Sequence, residues 1–125
     1  MLKCDDRGPV FVVEYCADMT VEELRTHHEQ WNKYYETNTK PFAWILVLHG
    51  IGNAEIRAMV AAHSKQNAEH IRKYMKCTAV VIKNALARGA MTAVFWTWKP
   101  EAPWKTFATT EEAVAWARTF FEPGA

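Results

Sequence analysis

Several things are scarce in this chain. It has no short metal-ligand spacing, no block of like charge and no apolar run long enough to cross a membrane. Its three cysteines, Cys4, Cys16 and Cys77, are odd in number and far apart, which excludes a C-x-x-C motif and argues against a disulfide framework. Reduced thiols in a cytoplasmic protein are the simplest expectation. Lys and Arg total 15 against 14 Asp and Glu, a net charge of +1, so composition gives no basic surface for nucleic acid. The first six residues lack the apolar core of a signal peptide. The longest strongly apolar stretch, Phe42 to Leu48, falls far short of the ~20 residues a membrane helix needs. No repeat or low-complexity tract is present. The expectation is therefore one domain spanning residues 1–125, with no cofactor, no metal, no nucleic acid and no membrane insertion.

What the chain does have is pattern. The run Phe42-Ala43-Trp44-Ile45-Leu46-Val47-Leu48 reads as a buried strand, followed by a turn at His49-Gly50-Ile51-Gly52. Asn53 is a candidate helix cap, and a helical pattern continues to about Met75, with Ile56, Val60, Ile71 and Met75 on its apolar side. A fully apolar strand feeding a long helix points to a crossover with a parallel neighbour. Ahead of it, Leu2 to Cys4 reads as a short edge strand, residues 5–9 as turn chemistry and Val10 to Tyr15 as a second strand. Thr20-x-x-Glu23 has capping-box spacing and opens a helix with Val21, Leu24, His28, Trp31 and Tyr35 along one side, ending near Pro41.

Beyond the long helix, Cys77 to Ile82 reads as another buried strand. Residues 84–99 fit either a strand or a helix; the stripe Ala87, Met91, Val94, Phe95 and Trp98 favours a helix capped by Asn84. Trp104 to Phe107 is a short last strand. Thr109-x-x-Glu112 starts a final helix with Ala113, Trp116, Ala117 and Phe120 on one face. The order predicts an α/β fold with a mixed, mostly parallel sheet of 4–5 strands, four helices and right-handed crossovers.

Over residues 10–121 the chain resembles the STAS family, the domain of bacterial anti-sigma factor antagonists (SpoIIAA-like) and of sulphate transporter tails, and within it the stand-alone bacterial members of unassigned function. The pieces that carry the resemblance are the strand Ala43 to Leu48 running into the Gly50 turn, the strand Ala79-Val80-Val81-Ile82, the segment Ala87-Arg88-Gly89-Ala90, and the stretch from Phe107 through Glu111-Glu112-Ala113 to Trp116-Ala117. The resemblance implies protein–protein recognition and a regulatory role. In the sporulation regulators of the family, a serine at the start of the helix after the central strand is phosphorylated and switches binding. Here that position reads Gly52-Asn53-Ala54-Glu55, and the chain's only serine, Ser64, lies deep in the helix. The phosphoswitch does not carry over. Nor does the acidic residue that many members place at the strand end, where this chain has His49.

Candidate functional residues fall in two groups. His49, Gly50, Gly52, Asn53 and Glu55 surround a helix start at the carboxyl end of the central strand, where open α/β sheets bind ligands and helix N-termini attract anions. The bland alternative for His49 is a loop histidine bonded locally. Gly89, Thr92, Ala93 and Trp96 form the outer side of the predicted helix over residues 84–99, a tryptophan among small residues suited to a homodimer or partner interface. The alternative there is a local loop folding over Trp96. His63, Asn67 and His70 mark a polar seam at the sheet edge or facing solvent. Seven residues separate the two histidines, about 10 Å by helical rise, too far to share one zinc ion. His27 and His28 point about 100° apart on a helix. Three functions follow, in order: a non-enzymatic STAS-like protein-binding module, a binder of small anions at Gly50 to Asn53 beside His49, and an enzyme using His49 with a cysteine or Lys83.

Overall fold

A computed structural model describes residues 2–16, 18–49, 54–89 and 102–121. Five strands form one sheet in the order of the chain: β1 (Leu2–Arg7), β2 (Val10–Tyr15), β3 (Phe42–Leu48), β4 (Met75–Val81) and β5 (Trp104–Phe107). β1 pairs antiparallel with β2, and every later pair is parallel. The expected apolar run is thus the middle strand. Phe42, Ala43 and Ile45 are fully enclosed.

β1 is longer than expected. Asp5, Asp6 and Arg7 belong to the strand rather than to the turn, which is only Gly8 and Pro9. Gly8 takes a φ of +78° at the first central position of this two-residue loop, a conformation side chains resist. Beyond Leu2 the strand is exposed, and its charged residues suit an edge that must not recruit another strand.

Strand alternation sorts the core into two layers. Val10 and Val12, Ala43, Ile45 and Val47, and Cys77, Ala79 and Val81 pack beneath α5 (Thr110–Arg118), meeting Ala113, Val114 and Ala117. Phe11, Val13 and Tyr15 with Phe42 and Trp44 turn to the opposite face, where α1 (Val21–Thr37) supplies Leu24, Trp31 and Tyr35. Ile56 of α2 (Ala54–Gln66) and Ile71 of α3 (Ala68–Tyr74) complete that layer.

The caps read at Thr20, Thr109 and Asn84 are present, and Asn53 lies outside the described residues. Thr20 and Glu23 make both bonds of the box, and the second Glu23 oxygen also accepts the Leu2 amide at 3.1 Å. The hydrogen bond from the Thr20 backbone holds the Glu23 carboxyl below the usual carboxylate range. Thr20→Ala is expected to lower stability by about 1 kcal/mol, read from urea unfolding. No change would mean that the box does not contribute to holding α1.

Three expectations need correction. The helix over residues 54–75 is two helices, so the described chain has five rather than four. At Asn67 the side-chain amide donates to the His63 carbonyl (2.9 Å) and to Asn32 Oδ1 (3.3 Å), and the backbone leaves helical geometry. Met75 opens β4 instead of closing the helix, and the pairing steps from Phe42↔Met75 to Ala43↔Cys77, making Lys76 the extra residue of a bulge. On α1 it is His27, not His28, that joins the buried side. The ambiguous segment starts as a helix, α4 (residues 85–89), with Ala87 N donating to Asn84 Oδ1 at 3.0 Å. Its continuation lies outside the described residues.

Candidate functional site

Alternation along β2 leads from Val10 and Val12 to Glu14 and then Cys16, all on the α5 side of the sheet. On β3, Ala43, Ile45 and Val47 lead to His49 on the same side. The parallel register sets Glu14 beside Val47 and Tyr15 beside Leu48, and the His49 amide donates to the Tyr15 carbonyl at 3.0 Å. Two adjacent strands therefore deliver a carboxylate, a thiol and an imidazole to one point at their carboxyl ends. His49 Nε2 lies 3.7 Å from Glu14 Oε2, and one donor atom from each of Glu14, Cys16 and His49 falls within 4.8 Å of the others. The side chains are partly open to solvent, 44% for His49 and 35% for Glu14. A negative neighbour at this distance makes the position better suited to a cation than to an anion.

Of the three, Glu14 also lines an open cleft of about 430 Å³ between β1–β2 and the start of α5. Glu14, Lys3, Arg7, Asp5 and Glu111 line it with both signs of charge. A second, shallower cleft on the other face is lined by Phe11, Trp31 and Tyr34 with His27 and Gln30.

Of the residues singled out from sequence, His49 stands at this strand end and Glu55 is exposed in the first turn of α2. Gly50, Gly52 and Asn53 lie outside the described residues. Gly89 is exposed near the end of the described part of α4, whereas Thr92, Ala93 and Trp96 lie outside it. Sequence reasoning missed Glu14 and Cys16 as partners of His49. The available signal was a polar residue, then a cysteine, on the alternate positions that had carried Val10 and Val12. Cys77 is a core residue: burial pushes its thiol up to about 12, which keeps it protonated and inert.

The polar seam on α2 and α3 faces α1 rather than solvent or a sheet edge. His63 is buried, its ring stacks on His28 with centroids 3.9 Å apart, and its Nε2 donates to Asn32 Oδ1 at 2.9 Å. His70 reaches Asn38 at 3.4 Å. Burial lowers His27 to about 4 and His28 to about 3, helped in both by the repulsion a protonated His63 would exert. Burial lowers His63 as well, against an opposing backbone hydrogen bond at His28. All three are neutral at pH 7, and the His28–His63 stack joins α1 to α2.

No protein-family model matches this chain, and no curated protein does. Among solved structures it is similar to an uncharacterized DUF3478-family protein with a SpoIIAA-like fold from Shewanella loihica PV-4. The TM-score is 0.65 at 13% identity, over 94% of this chain and 92% of that one. Five strands in chain order, one antiparallel edge and helices on both faces give the same result as that likeness: the protein has the STAS-type, SpoIIAA-like α/β fold.

Proposed function

We propose that this protein is a non-enzymatic, regulatory protein-binding module of the STAS type, working in the cytoplasm, capable of self-association and lacking the phosphorylatable serine. The observation that carries this reading is an exposed leucine at the working end of the sheet. Leu86, in the first turn of α4 just beyond β4, is 85% exposed, the largest exposure of a bulky apolar side chain among the described residues. It stands at the carboxyl edge of the parallel strands, the same edge as His49. The turn that presents it is held firmly, since the Arg88 guanidinium donates to the Ile82 and Lys83 carbonyls at 2.8 Å each. An apolar side chain presented to solvent from a hydrogen-bonded turn is a surface that a partner can cover. The anion-binding alternative gains nothing from Glu14 beside His49.

The experiment is affinity capture from the native cell, followed by reconstitution with the purified partner. Leu86→Glu is expected to weaken binding at least about tenfold while leaving the fold intact, because the side chain is already in water. A partner that binds wild type and Leu86→Glu equally well would overturn the reading. So would a chain that captures nothing.

A further inference from the structure

We infer that Glu14, Cys16 and His49 form a binding site for a divalent transition metal of the zinc class. This goes beyond the binding-module reading and does not depend on it. The donor set is mixed, with one thiol, one imidazole and one carboxylate, the ligand types zinc takes together. A surface ion pair alone would need only His49 and Glu14; the sulfur completes a three-sided arrangement.

Tetrahedral zinc, with bonds of about 2.0–2.3 Å, sets its ligand atoms roughly 3.3–3.8 Å apart. The His49 Nε2 to Glu14 Oε2 separation of 3.7 Å already fits. Every donor pair lies within 4.8 Å, so closing the set asks for a movement of about 1.5 Å at most. Side-chain rotation supplies that, because none of the three is fully buried. The backbone needs no change. Glu14 is in β2, and the next strand is clamped to it by the His49 amide on the Tyr15 carbonyl. Three protein ligands leave a fourth position open on the solvent side, where water or a group from a partner completes the shell. A bound ion would tie the ends of β2 and β3 together beside the cleft that Glu14 also lines.

The test uses the full chain, stripped of metal under reducing conditions. Equilibrium dialysis against Zn²⁺ with elemental analysis is expected to give one ion per chain. Co²⁺ is expected to give the near-ultraviolet absorption of a cobalt–thiolate bond. Cys16→Ala should remove that band, and His49→Ala should weaken Zn²⁺ binding by at least about tenfold. Cys4→Ala should change neither, because Cys4 projects from the opposite side of the sheet, next to Val13. Thermal unfolding of the metal-free variants checks that they are folded; Glu14→Gln gives a further variant should either of the others fail. A cobalt–thiolate band that survives Cys16→Ala would overturn the proposal. So would Zn²⁺ uptake no greater than that of the Cys16→Ala/His49→Ala double variant, which would leave an ordinary ion pair beside an unliganded thiol.

Discussion

Phe42→Ala is expected to lower the stability of the domain by about 3–5 kcal/mol, the range seen when a large aromatic side chain is removed from a packed core. Phe42 opens the middle strand and is 0% exposed. It lies beneath α1 within a single aromatic cluster. Its ring centroid is 5.6 Å from Tyr34, 6.1 Å from Tyr35 and 6.3 Å from Trp31. Phe11 and Trp44, at 6.4 and 6.3 Å, approach from β2 and from β3 itself. These neighbours come from α1 and from the sheet, so they cannot all move into the space left behind. The loss is also structural, because Phe42 pairs with Met75 at the bulge where β4 begins. A domain stability of ~5–15 kcal/mol makes this a large fraction of the total. Urea unfolding at pH 7 should show a lower midpoint with an unchanged slope. A loss below about 1 kcal/mol would mean that the cluster is not the core described here.

Acidification from pH 7 to pH 5 is expected to produce the second large effect. His27 is buried against Tyr15 and Trp31, and its folded value of about 4 lies below the ordinary 6.5. The unfolded chain therefore binds a proton between these values that the native chain refuses. Stability is complete above pH 6.5 and is lost progressively as the pH falls toward 4. At pH 5 His27 alone accounts for about 2 kcal/mol. His28 acts in the same direction, less strongly than its lower value suggests because water screens its more open ring. The window separates these groups from Glu23, whose depressed carboxyl takes up its proton only below the ordinary carboxylate value of 4.5. Urea midpoints measured at constant ionic strength between pH 5 and 7 test the expectation. His27→Gln should remove close to one proton from the slope. A flat profile for the wild type would show that the imidazoles are hydrated rather than enclosed.

Much of the architecture could be read from the chain because it is written in local signals. Thr20 with Glu23 and Thr109 with Glu112 mark helix starts, and Phe42–Leu48 carries the apolar content of a strand covered on both faces. What could not be read depends on contacts between elements. Leu24, Trp31 and Tyr35 fit a helical stripe equally well with His27 or with His28, and only packing against Tyr15 and Trp31 selects the former. At the helix break, Asn67 donates to Asn32, 35 residues earlier in the chain. The candidate metal site was hidden for the same reason. Cys16 and His49 carry no spacing signature, and only the parallel register of β2 and β3 makes them neighbours. His49 itself was legible, since a polar residue ending a buried strand stands out wherever the strand goes.

The strand order has a consequence for synthesis. Each strand lies beside the one made just before it, so every pairing partner has left the ribosome before the next strand emerges. Among the described residues, no β-segment waits, unpaired, for a distant portion of the polypeptide. The nascent chain can add layers from its amino end, with α5 arriving last to cover the face left bare by the crossover helices.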